Sequence, residues 1–111
     1  MDLAGSTDRG IAEFIHAHFG IPPESRQIEE FFAIYHLKLN WHLAHGPASG
    51  RVLAGVPEVL AALARRPAAT LGLLTGNTAA GAAAKLRHFQ LDAYFAFGAY
   101  GGEQYRVTDK L

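Results

Sequence analysis

The run Leu71-Gly72-Leu73-Leu74 stops at Thr75, and Gly76-Asn77-Thr78 then opens an alanine-rich stretch. Few folds accommodate that order. A continuous apolar run closing on a hydroxyl residue and a glycine predicts a buried parallel strand over Thr70 to Thr75. Such a strand ends at the sheet edge where open α/β sheets bind ligands. A helix predicted from Thr78 to Phe89 turns its first N–H groups toward the same place, which favours an anion. Thr75 and the backbone N–H groups of Gly76 and Asn77 are therefore expected to form one wall of a phosphate site. The competing reading is a threonine that only caps the following helix.

The flanking segments extend the α/β reading. Ile11, Phe14, Ile15 and Phe19 recur at helical spacing, so Asp8 to Phe19 is predicted helical, with Ser6 or Thr7 as N-cap and Gly20 just past its end. Pro22-Pro23 breaks the chain, with Pro23 suited to a first helical turn. A long helix follows from Glu24 to about His45, ending at Gly46-Pro47. Its main stripe is Ile28, Phe31, Phe32, Tyr35, Leu39 and Leu43, while Ile34, Leu37 and Trp41 lie on another side, which predicts packing on two sides. Residues 45–50 read as a linker. Beyond it, Pro57 to Arg66 is a short predicted helix with Val56, Val59, Leu60 and Leu63 inward. Pro67 ends that helix, and Tyr94 to Tyr100 is predicted as a second strand, parallel to the first and ending at Gly101-Gly102. The domain reading is a helical unit over 1–50 and an α/β unit over 51–111.

Composition narrows the function classes. The formal net charge is zero and the pI is near 7.0, so nothing favours electrostatic capture of nucleic acid. Arg65-Arg66 is the only adjacent basic pair. No apolar run approaches the ~20 residues of a membrane span, and no basic segment leads into an apolar one near Met1. With no cysteines the chain has neither disulfides nor thiolate metal sites, and the expected compartment is cytoplasmic. Twenty of the 111 residues are alanine, which favours helix but adds little buried area, so the core is expected to be modest.

Other chemistry-bearing residues give weaker signals. His42 and His45 are three apart and His16 and His18 two apart, but no carboxylate cluster completes a metal site with them. Arg106 and Lys110 follow the second predicted strand and could reach an anion at the sheet edge, or could be solvated charges. Arg51 and Lys85 read as ordinary surface residues. Asp2, Asp8, Asp92 and Asp109 form no paired-acid cluster.

The succession of segments resembles the haloacid dehalogenase-type hydrolases of the phosphoglycolate phosphatase-like kind. The matching stretches are residues 2–11, 50–57, 71–77, 85–89, Leu91-Asp92 and Tyr94-Phe95, in order along nearly the whole chain. The resemblance implies a helical cap followed by a partial parallel-sheet, Rossmann-like core. It also implies a Mg²⁺-dependent phosphatase acting on a small phosphorylated metabolite through an aspartate nucleophile. Thr75 matches the hydroxyl of the family's second motif, with Gly76 and Asn77 beside it. Arg106, then Lys110, are the best matches to the third-motif cation, although Gly102-Glu103-Gln104-Tyr105 departs from the acidic stretch that leads into it in relatives.

Asp2-Leu3-Ala4-Gly5-Ser6-Thr7 has Ala4 where the first motif needs its acid/base, and no apolar strand precedes Asp2. The first motif is thus expected upstream of Met1 and the fourth, carrying metal ligands, beyond Leu111. The chain as given is expected to be an inactive fragment, holding no catalytic residue securely and binding no Mg²⁺ alone. A different expectation is a non-catalytic helical interaction module on an α/β scaffold. A fragment leaves a strand edge and an apolar face uncovered, whereas a module covers them.

Overall fold

The structure is a computed structural model that describes residues 5–22, 26–46 and 50–101, together with the backbone of residues 107–108. It is a mixed α/β arrangement, mostly helical. Helices α1 (Asp8–His18), α2 (Arg26–His45) and α3 (Val56–Ala64) precede strand β1 (Gly72–Leu74). Helix α4 (Ala79–His88), a 3-10 turn at Asp92–Tyr94, and strands β2 (Phe97–Ala99) and β3 (Val107–Thr108) follow.

Local chemistry accounts for the helix ends. Thr7 caps α1 by accepting the Gly10 N–H at 2.9 Å, and Thr78 caps α4 by accepting the Gly81 N–H at 3.1 Å. Gly20, at φ +78°, ends α1: its N–H bonds the Ala17 carbonyl and the Ile21 N–H bonds the His16 carbonyl. That pairing is a Schellman motif, in which the left-handed residue is most often glycine. Helix α4 ends in the same way on Gln90, at φ +59°, with Gln90 N–H on Arg87 and Leu91 N–H on Leu86.

The sheet has the order β1-β2-β3. β1 and β2 are parallel, with Gly72 opposite Phe97 and Leu74 opposite Ala99. β2 and β3 are antiparallel, with Ala99 opposite Val107. The sheet is therefore mixed where the sequence predicts only parallel strands. The short connection from Ala99 to Val107 explains this, because a parallel neighbour needs a longer crossover. The second strand is also shorter than Tyr94 to Tyr100, because Asp92–Tyr94 is wound into the 3-10 turn.

The core lies between α1 and α2, where Ala12, Ile28 and Phe32 are buried and Tyr35 packs against them. Helix α4 contributes the small buried residues Gly81, Ala82 and Ala84, and a side chain at Gly81 would come within 4 Å of Leu39 and Tyr35 of α2. Two expectations fail at this level. Helix α2 is covered on one side only, since Ile34, Leu37 and Trp41 are 54%, 73% and 56% exposed. The first strand is not buried: Leu74 is 87% exposed. An apolar run specifies a strand that can be covered on both faces, but the covering must come from other segments, and none of the described ones lies over this face.

Candidate functional site

The site is built where β1 gives way to α4. The Thr75 N–H donates to the Ala99 carbonyl at 3.1 Å, so Thr75 continues the ladder to β2 one residue past the strand. Its hydroxyl oxygen then accepts two bonds, from the Asn77 backbone N–H at 3.1 Å and from the Asn77 side-chain Nδ2 at 2.7 Å. The Asn77 Oδ1 in turn accepts from the Lys85 ammonium at 2.7 Å. Thr75 does not cap α4, because Thr78 does.

This arrangement differs in detail from a row of open N–H groups. The Asn77 N–H is directed back at Thr75, whereas the Gly76 N–H bonds no described residue. The Gly76 carbonyl accepts the Asp8 N–H at 2.9 Å, tying the first turn of α1 to the site. Gly101 completes the junction, with its N–H on the Asn77 carbonyl at 3.0 Å. A Cβ at Gly101 would overlap the Gly76 carbonyl oxygen and the Thr7 side chain, so this close approach requires glycine. A cavity of about 440 Å³ opens here, lined by Gly5, Thr7, Leu74, Thr75, Gly76, Ala99, Tyr100 and Gly101.

The helical layer holds the other side of the turn. His36 Nε2 of α2 lies 2.7 Å from Thr78 Oγ1, a contact between helices 42 residues apart in the chain. Between α1 and α2, Asp8, Ile11, Ile15 and Tyr35 help to line a smaller, apolar cavity of about 160 Å³. One oxygen of Asp8 is buried there without a partner among the described residues. Burial pushes the Tyr35 phenol above its ordinary range, and the nearby Asp8 carboxylate pushes it further the same way.

Thr75, Gly76 and Asn77 are thus brought together at one edge of the sheet. Arg106 and Lys110, the sequence candidates for the cation, lie outside the described residues, as does Asp2. Sequence reading missed Lys85, which looked like a surface residue of an alanine-rich helix. Its signal was its spacing: two turns past Asn77 on a helix capped at Thr78, a lysine reaches back toward the residues before the cap. The histidines serve the helices: His16 and His45 each place Nδ1 within 2.9 Å of the carbonyl four residues earlier. Among the described residues no group of three or more His, Asp or Glu stands close enough to hold a metal, and no helix is long and apolar enough to cross a membrane.

No family model matches the chain, and comparison with curated proteins and with solved structures finds no match either.

Proposed function

We propose that this chain carries the helical cap and the phosphate-binding strand of a haloacid dehalogenase-like phosphatase, with the Thr75 hydroxyl and the Gly76 N–H receiving the phosphoryl group of a small phosphomonoester and Asn77 orienting that hydroxyl. The observation that carries the reading is the polarity of the Thr75 turn. Both acceptor positions of the Thr75 oxygen are occupied by Asn77. The hydroxyl hydrogen has no acceptor among the described residues, so it is available to donate to a ligand, as is the Gly76 N–H beside it. Two donors at the end of a strand, next to the start of a helix, favour an anionic oxygen.

The edge of β1 supports the fragment reading over the interaction module. In a parallel ladder alternate residues face each neighbour. Leu71, accepting from Ala96, and Thr75, donating to Ala99, face β2. Gly72 and Leu74 therefore present their N–H and C=O groups to the opposite side, where no described strand lies. A bare central-type strand with an 87% exposed leucine is the uncovered edge and face expected when a further strand is needed. In the full family arrangement that strand would bring the aspartate nucleophile beside Thr75. Mg²⁺ would supply charge neutralisation there, held by residues other than those described.

Titration of the ¹⁵N-labelled chain with inorganic phosphate and small phosphomonoesters tests this reading. Saturable shifts centred on the Gly76 amide, absent for the corresponding alcohols and lost in Thr75→Ala, are expected. Shifts confined to the exposed faces of α1 and α2, or a Thr75→Ala variant that binds as well as the parent, would overturn it.

A further inference from the structure

We infer that Lys85 is a positioning residue that sets the hydrogen-bond polarity of the anion site through Asn77, a role resting on the phosphate reading above. An ammonium group can only donate. With Lys85 Nζ 2.7 Å away, the near atom of the Asn77 amide must be its oxygen, so the NH₂ faces the other way, onto Thr75 Oγ1 at 2.7 Å. The Asn77 backbone N–H occupies the second acceptor position of that oxygen at 3.1 Å. The Thr75 hydroxyl is then left as a donor toward the cavity that Thr75, Gly76 and Leu74 line.

The directions of the two Asn77 side-chain bonds follow from the first, while its backbone N–H donates in either case. Reversing the partner at position 85 reverses both side-chain bonds: an acceptor there draws the Asn77 NH₂ to itself and turns Oδ1 toward Thr75. The Thr75 hydroxyl then donates inward and presents a lone pair outward, which repels an anionic oxygen. Lys85 does not line the cavity, so its influence passes through the orientation of an amide rather than through contact with the ligand.

The relay predicts different results from a simple charge effect. The full chain is prepared with Lys85 unchanged, as Lys85→Arg, as Lys85→Met, and with Nε-acetyl-lysine encoded at position 85, which is uncharged but keeps an N–H donor at the Nζ position. Two readouts are taken: nuclear Overhauser contacts between the Asn77 side-chain NH₂ and the Thr75 side chain, and inorganic phosphate affinity at the Gly76 amide. The parent, arginine and acetyl-lysine chains should keep the contact and bind phosphate alike, while Lys85→Met loses the contact and about tenfold in affinity. Equal losses in the acetyl-lysine and methionine chains would make Lys85 a plain charge and overturn the relay. So would an Asn77–Thr75 contact that persists in Lys85→Met. If the contact tracks the donor at position 85 but the parent shows no phosphate shift, the relay stands and the phosphate reading falls.

Discussion

Thr78 holds two elements with one oxygen. It accepts the Gly81 N–H that starts α4 and meets His36 Nε2 of α2. Thr7 has only the first of these duties, on Gly10. Thr78→Ala should therefore destabilise the chain more than Thr7→Ala. A lost cap costs about 1 kcal/mol, and the orphaned histidine about 1 kcal/mol more, read as the difference between their urea midpoints. Tyr35 gives a pH signature. Its phenol is held above the ordinary value of 10.0 by burial and then by Asp8, so above that pH the unfolded chain loses a proton that the folded one keeps. Stability drawn from this group is present below pH 10 and lost as pH rises. Tyr35→Phe should flatten the fall in stability between neutral and strongly alkaline solution, as followed by thermal melts across that window. At this scale the sequence showed that Thr75, Gly76 and Asn77 follow a strand and precede a helix, because hydroxyl, glycine and amide at a strand end are local signals. It hid the bond from Lys85 to Asn77, which depends on the reach of a side chain across two helical turns.

Helix extents were legible for the same local reason. The stripe from Ile11 and the caps at Thr7 and Gly20 predict Asp8 to Phe19, and α1 runs Asp8–His18. Strand surroundings were not legible, because whether Leu74 is covered depends on segments distant in the chain. Gln90 ends α4 in the left-handed region at φ +59°, a conformation that costs a side chain about 1 kcal/mol and glycine almost nothing. Gln90→Gly should raise stability by about 0.5–1 kcal/mol, seen as a higher urea midpoint. At the end of β1, the Thr75 amide is bonded to Ala99 whereas the Leu74 amide faces the edge where no described strand lies. Hydrogen exchange should therefore be slower at Thr75 than at Leu74, by about tenfold or more. Equal rates would mean that the edge is covered or the ladder is absent.

Taken as a whole, the chain is looser than a closed domain of its length. Its radius of gyration is 15.9 Å, against about 13 Å for a compact chain of 111 residues. The exposed Leu37, Trp41, Phe19 and Leu74 are consistent with that excess. The matching functional prediction is that the purified 111-residue chain shows no Mg²⁺-dependent turnover of phosphomonoesters above background. In the proposed role Thr75 and Gly76 contribute binding donors but supply no nucleophile. Turnover that vanishes in Thr75→Ala would contradict this and direct attention to Asp2. The two attachments of the helical layer carry a mechanical consequence. Asp8 of α1 grips Gly76, and His36 of α2 grips Thr78, on either side of the Asn77 turn. Swinging α1 and α2 away as a door would break both bonds and disturb the turn proposed to receive the anion. These helices are thus tied to the turn at two points, and opening them away from it costs both bonds.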